Sequence, residues 1–360
     1  MVMRDAEQAR ATFLLVRGQY DQQGEQVTAG VPGFLLRESA GGDVSGRSNR
    51  LELARWLVEP SHPLTARVTV NRLWQELFGT GIVKTADDFG VQGDWPSHPD
   101  LLDWLAIELI ESGWDMKHVL RLIVTSATYQ QSSFRSAELL ARDRENRLLA
   151  RGPGFRMAAE TLRDNALAIS GLLVERLGGP SVKPYQPPGL WEDVTYDSDL
   201  AYGADAGAGL YRRSLYTFWK RQSPPPNMLV FDAPTRETCV VQRSRTNTPL
   251  QALVLMNDPT FIEAARKLAE RMMTQAAGPS ERITFAFRAA TARRPTEDEA
   301  RILLDVFDRQ RADFAETPEE ARQLLSVGQS PRDESLDAVE LAAWTTVANM
   351  ILCLHETLER

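Results

Sequence analysis

Two carboxylates set among guanidinium groups are the chain's strongest candidate for chemistry. Between Tyr211 and Arg245 stand Arg212, Arg213, Lys220, Arg221, Arg236, Arg243 and Arg245, seven basic residues against two acids, Asp232 and Glu237, in a chain of net charge -8. One chemistry for this set is acid–base cleavage of a glycosidic bond, with the two carboxyl pKa values driven apart by unequal burial. That makes Asp232 and Glu237 the candidate catalytic pair. The other reading is structural: each acid pairs with an arginine and fastens a long loop to its surroundings, since charge clusters also arise from ion-pair networks.

Aromatic residues interleave with the basic ones. Tyr211, Tyr216, Phe218 and Trp219 alternate with Arg212, Arg213, Lys220 and Arg221, and Tyr202 lies just upstream. Flat rings suit pyranose faces, and guanidinium forks suit carboxylate or sulfate. The candidate ligand-binding residues are therefore Tyr211, Arg212, Arg213, Trp219, Arg221, Arg236, Arg243, Arg245 and Asn247. Asn71, Arg72 and Trp74 join them from a helix that is polar for a buried one and could face the basic stretch across a groove. The run RRSLYTFWKR also alternates with period two, placing Leu215, Thr217 and Trp219 on one face and Ser214, Tyr216, Phe218 and Lys220 on the other, as a covered strand would.

Other chemistries find less support. None of His62, His98, His118 and His355 has a second histidine three or four residues away, and no metal ligand set is assigned. Cys239 and Cys353 lack metal or haem-attachment spacing and read as two buried free thiols. There is no GxSxG elbow, no GxxxxGK loop and no GxGxxG turn. The acidic balance argues against nucleic acid, whose phosphates demand a basic face. No apolar run approaches the roughly 20 residues of a membrane span.

The elements that must position these residues are mostly helices, in a mainly α fold. Residues 1–45 read as the tail of an upstream region, with a strand at Phe13–Asp21 that has no nearby partner and a Gly/Ser-rich connector at Ser39–Arg47. The abrupt start without a signal peptide predicts a fragment whose N-terminus lies upstream. Residues 46–360 read as a helical domain with a loop and strand insertion at 180–247. Caps and prolines punctuate it: Ser48 before a first helix, Ser97 before Pro99, Asp258 before Pro259, and Thr296 with Glu299. Helices are expected at 64–78, 137–150 and 157–177, with a terminal one at 336–358 that buries Leu341, Trp344, Val347, Met350, Ile351 and Leu354.

Five long motifs, HPLTARVTVNRLWQELFGTGIV, DDFGVQG, HPDLLDWLAIELIESGWDMKHVLRLIVTSATYQQSS, YRRSLYTFWKR and RTNTPLQALVLMNDPTFIEAAR, occur in a set order. From about Leu14 onward the chain resembles the planctomycete secreted-protein C-terminal domain, domain-of-unknown-function family 1553. The family has no agreed catalytic residues. The resemblance implies a periplasmic or secreted protein in which a cytochrome c-like domain and a second uncharacterised domain lie upstream. It places haem c in that upstream domain, with no cofactor in this segment, and it suggests a polysaccharide connection, to which the basic stretch adds that the polysaccharide would be anionic. The expected function is polysaccharide binding or processing, with glycan cleavage by Asp232 and Glu237, or a purely structural role, as alternatives.

Overall fold

The computed structural model describes residues 10–35, 49–191 and 201–359. Ser48, the connector Ser39–Arg47 and residues 192–200 of the long loop lie outside the described residues. Fourteen α-helices and one two-stranded sheet make the chain mainly α among the described residues. It divides into two compact units, one up to Pro153 and one from Gly154.

In the first unit, β1 (Thr12–Leu15) pairs antiparallel with β2 (Gln23–Val27), so the N-terminal strand does have a near partner. The sequence hid it because β2, QGEQV, has Val27 as its one large apolar residue. Arg17 and Gly18, both at positive φ, turn the chain between them. Helix α1 (Arg50–Leu57) starts on a capping box made by Asn49 and Glu52, and none of its residues is buried. In α2 (Thr65–Phe78) His62 Nδ1 accepts from the first backbone amides, Leu64 N and Thr65 N, and Gly79 ends the helix at φ 84°. Helix α3 (Pro99–Glu111) is preceded by His98 at its cap, one residue later than the Ser97 expected. Asp115 caps α4 (Met116–Val124). Val70, Trp74, Leu105, Leu109, Val119 and Ile123 form the interior that α2, α3 and α4 share.

Helix α5 covers only Ala137–Arg142, not 137–150. The Asp143 carboxylate accepts from Arg147 N and Leu148 N, and Asn146 and Leu149 take positive φ, so local side-chain bonding outcompetes the helix.

The second unit is built on α9 (Pro259–Gln275) and α13 (Ala338–Leu352). Ala264, Ala265, Leu268 and Ala269 of one, and Ala342, Ala343, Val347 and Ala348 of the other, are completely buried, and small residues allow close helix approach. Around them lie α6 (Ala159–Ser170), α7 (Pro226–Val230), α8 (Pro249–Asn257), α10 (Pro279–Thr291), α11 (Glu297–Glu316), α12 (Pro318–Leu325) and α14 (His355–Leu358). Trp344 stacks on Phe307 of α11 at 4.0 Å. The Thr296–Glu299 capping box and the Asp258 cap form as expected. Two helix limits differ. Gly171 at φ 81° stops α6 well before 177, and the terminal helix breaks at Cys353; Met350, expected to be buried, is 38% exposed.

The stretch 172–225 forms no named strand among the described residues. Short 3-10 turns at Gly207–Tyr211 and Ser214–Tyr216 are joined to the rest by single bridges, Val174 to Arg212 and Val182 to Thr217. The turn at 214–216 breaks the expected alternation: Ser214 and Thr217 are buried, whereas Leu215 and Phe218 are exposed. The thiols also differ from expectation: Cys239 is exposed and Cys353 half-buried, both free.

Candidate functional site

The residues singled out by sequence fall into three groups. The first is interior. Asn71 is fully buried, donating to Val83 O at 3.0 Å and accepting from Val83 N at 2.8 Å, so it ties the loop after α2 back onto that helix. Trp74 is buried and stacked on Phe78 at 4.1 Å, and Arg72 alone of this trio is exposed. In the second unit, Tyr211 is buried with its hydroxyl on Glu263 Oε1 at 2.9 Å. Arg212 is also buried. Its fork donates to the carbonyls of Pro180, Arg176 and Gly178, and its plane lies 3.9 Å from the Tyr216 ring centroid. A guanidinium so engaged is a structural clamp.

The second group comprises the two acids. Glu237 is bonded by Arg221, with Nε 2.6 Å from both carboxylate oxygens. That hydrogen bond holds the Glu237 carboxyl below the usual carboxylate range. Asp232, in left-handed backbone at φ 61°, accepts from Thr246 N at 2.7 Å and from Thr246 Oγ1, which closes the loop between α7 and α8. A general acid needs a raised pKa, and the ion pair drives Glu237 the opposite way.

The third group is an exposed face of arginines. Residues 235–250 are almost wholly exposed. Within them the Arg236 guanidinium stacks 4.3 Å from the Trp219 ring centroid, while Trp219 Nε1 donates to Thr235 O at 3.1 Å and so fixes the indole. Arg245 stacks on Phe155 at 4.2 Å. Arg243 pairs with Glu160 at 2.7 Å, and Arg213 lies 3.8 Å from Glu175. Asn247 is exposed in the same run.

The second unit also holds a buried polar network that sequence reasoning missed. Glu263, fully buried on α9, accepts from Tyr185 Oη at 3.0 Å, Tyr211 Oη at 2.9 Å and Ser330 N at 2.6 Å. Burial pushes both phenols up in pKa, which keeps them protonated as donors. Arg266, also buried, bonds Glu270 at 3.1 Å and Ser330 O at 2.8 Å. Arg163 on α6 is nearly fully buried and donates to the carbonyls of Leu210 and Arg212 and to Ser214 Oγ, while Asp164 accepts from Ser214 N at 2.7 Å. Each buried charge of this network has a hydrogen-bond partner, as its desolvation demands. Together they hold segment 210–214 rigidly. The spacing Glu263, Arg266, Glu270 was the available signal, but on a helix it reads equally as a solvated ion-pair face.

Among the described residues no group of three or more His, Cys, Asp or Glu could hold a metal ion, and no helix is long and apolar enough to cross a membrane.

A family model described as PSD1, protein of unknown function (DUF1553), matches residues 49–307. No curated protein and no solved structure matches the chain. The family match covers the helices of the first unit, the second unit as far as residue 307 and the whole arginine-bearing loop region, and leaves α12, α13 and α14 outside it. The chain belongs to the PSD1 family, DUF1553.

Proposed function

We propose that the second unit is a binding module for an anionic polysaccharide, held on the arginine face at 235–247. The observation that carries this reading is Arg236. Its guanidinium is exposed, fixed in plane by Trp219, and paired with no carboxylate among the described residues. Stacking on an indole fixes the fork without consuming its N–H donors, so a carboxylate or sulfate meets a pre-organised partner at little entropic cost. Arg243, exposed and paired with Glu160, lies in the same run. The setting, an exported multidomain protein with haem in an upstream cytochrome c-like domain, rests on the family resemblance.

Glycan cleavage by Asp232 and Glu237 is the weaker reading, because Arg221 and Thr246 already occupy their oxygens. Affinity electrophoresis through neutral, carboxylated and sulfated polysaccharides at low and moderate salt tests the binding reading. Retardation is expected only in the anionic gels, weakening with salt. Losing a charged hydrogen-bond donor is expected to weaken binding about tenfold or more in Arg236→Ala. Equal retardation by neutral gels, or an unchanged Arg236→Ala, refutes the proposal.

A further inference from the structure

Two lysines outside the arginine face share a feature that the binding reading does not use. Lys183 is fixed through its backbone by Asp205, whose carboxylate accepts from Lys183 N at 2.9 Å and whose amide donates to Lys183 O at 2.8 Å. The neighbouring Val182 bonds Tyr216 O at 2.8 Å and accepts from Phe218 N at 2.7 Å, which brings segment 182–183 beside 216–220. Both ammonium groups then converge on one indole. Lys220 Nζ stands 4.3 Å and Lys183 Nζ 5.2 Å from the Trp191 ring centroid. Tyr202 and Phe218 complete the walls, 6.0 and 5.7 Å from Lys183 Nζ, with ring centroids 5.1 and 5.7 Å from that of Trp191. The Tyr202 hydroxyl is spent on Pro184 O, so the walls present ring faces and edges.

Lys220 Nζ is shielded from solvent and has no hydrogen-bond partner, and neither lysine pairs with a carboxylate among the described residues. An indole face returns only about 0.5–2 kcal/mol to a cation, which does not offset the removal of an ammonium from water. Two like charges on one ring also repel. The Lys220 ammonium carries three donors and meets no acceptor. An oxyanion within reach of Lys220 Nζ supplies the missing acceptor, and Lys183 adds a second positive charge at the same indole.

We propose that Lys183 and Lys220 form an anion subsite that takes one compact oxyanion, a carboxylate or sulfate group borne by a sugar, with Trp191, Tyr202 and Phe218 as its apolar walls. The subsite is independent of Arg236 and stands or falls without it.

Calorimetric titration of the whole chain with sodium sulfate, sodium D-glucuronate and D-glucose, at ionic strength matched with sodium chloride, tests this. Saturable one-to-one uptake of sulfate or glucuronate, without glucose uptake, is expected. Uptake of only one of the two anions identifies which group the site takes. Lys220→Met and Lys183→Met keep the apolar stem and are each expected to weaken uptake at least tenfold. The melting temperature of the wild-type chain supplies a readout that needs no variant: sulfate should raise it saturably above matched chloride. Absence of saturable uptake, or uptake indifferent to both lysine variants, overturns the proposal. Glu192, Asp193, Asp197 and Asp199 follow Trp191 in the sequence. Uptake that emerges only when these four are changed to Gln or Asn would make the lysines partners of the chain's own acids and would equally overturn it.

Discussion

Gly328 sits where a side chain would strike a buried carboxylate. A Cβ there would lie 2.2 Å from Glu263 Cδ and 2.4 Å from Oε1, and the residue's φ of 89° is already unfavourable for an L side chain. Glu263 has no room to yield, because it is fully buried and accepts from Tyr185, Tyr211 and Ser330. In Gly328→Ala the left-handed backbone costs about 1–2 kcal/mol. Displacing Glu263 from two of its three donors costs about 1.5–3 kcal/mol for each hydrogen bond to a charged group. The sum is about 4 kcal/mol at its low end. Urea unfolding followed by circular dichroism measures it, with Gly203→Ala as control: no atom approaches that position within 4 Å and its φ is not positive. The control is expected within about 0.5 kcal/mol of wild type. A Gly328→Ala transition within about 1 kcal/mol of wild type would refute the claim that Glu263 anchors the loop region.

Two further outcomes are expected. Burial pushes the Cys353 thiol up to about 11, whereas Cys239 is exposed; at neutral pH a thiol reagent should label Cys239 quickly and Cys353 slowly, and two equal fast phases would contradict this. The Arg293 hydrogen bond lowers Glu299 from 4.5 to about 2. A depressed carboxyl stabilises above its unfolded value, and that contribution is lost as pH falls from about 4.5 towards 2. With both side chains about a third exposed, Arg293→Met should cost about 1 kcal/mol at pH 7 and distinctly less at pH 2, and a difference independent of pH would contradict the assignment.

Local punctuation made most of the fold readable in advance. Asp258 before Pro259, Thr296 with Glu299, and Gly79 after Phe78 each mark a helix end by satisfying or terminating backbone hydrogen bonds, and the structure uses all three. Reading failed where side chains compete with the backbone over a few residues, as Asp143 does in cutting α5 short. It failed again at 211–221, where apolar and polar residues alternate like a strand but among the described residues only single bridges, as at Arg212 and Thr217, pair with it, and a 3-10 turn forms.

The candidate site was readable in composition and not in role. Arg212 and Arg236 look alike as residues, yet one is buried against three carbonyls and the other stacks, exposed, on Trp219. Glu263 and Arg266 could not be told from surface charges until α9 was seen to pack on every side. Lys183, Lys220 and Trp191 come together only through the bonding of 182–183 to 205 and 216–218, contacts that no local pattern specifies.

The most direct measurement is the dissociation constant of one sulfated polysaccharide for wild type and Arg236→Ala, side by side at two salt concentrations, with the desulfated form of the same polymer as reference. The account predicts binding of the sulfated form alone, weakened by salt and about tenfold or more weaker in a correctly folded Arg236→Ala. Equal constants for the two proteins, or equal binding of the desulfated polymer, would contradict it.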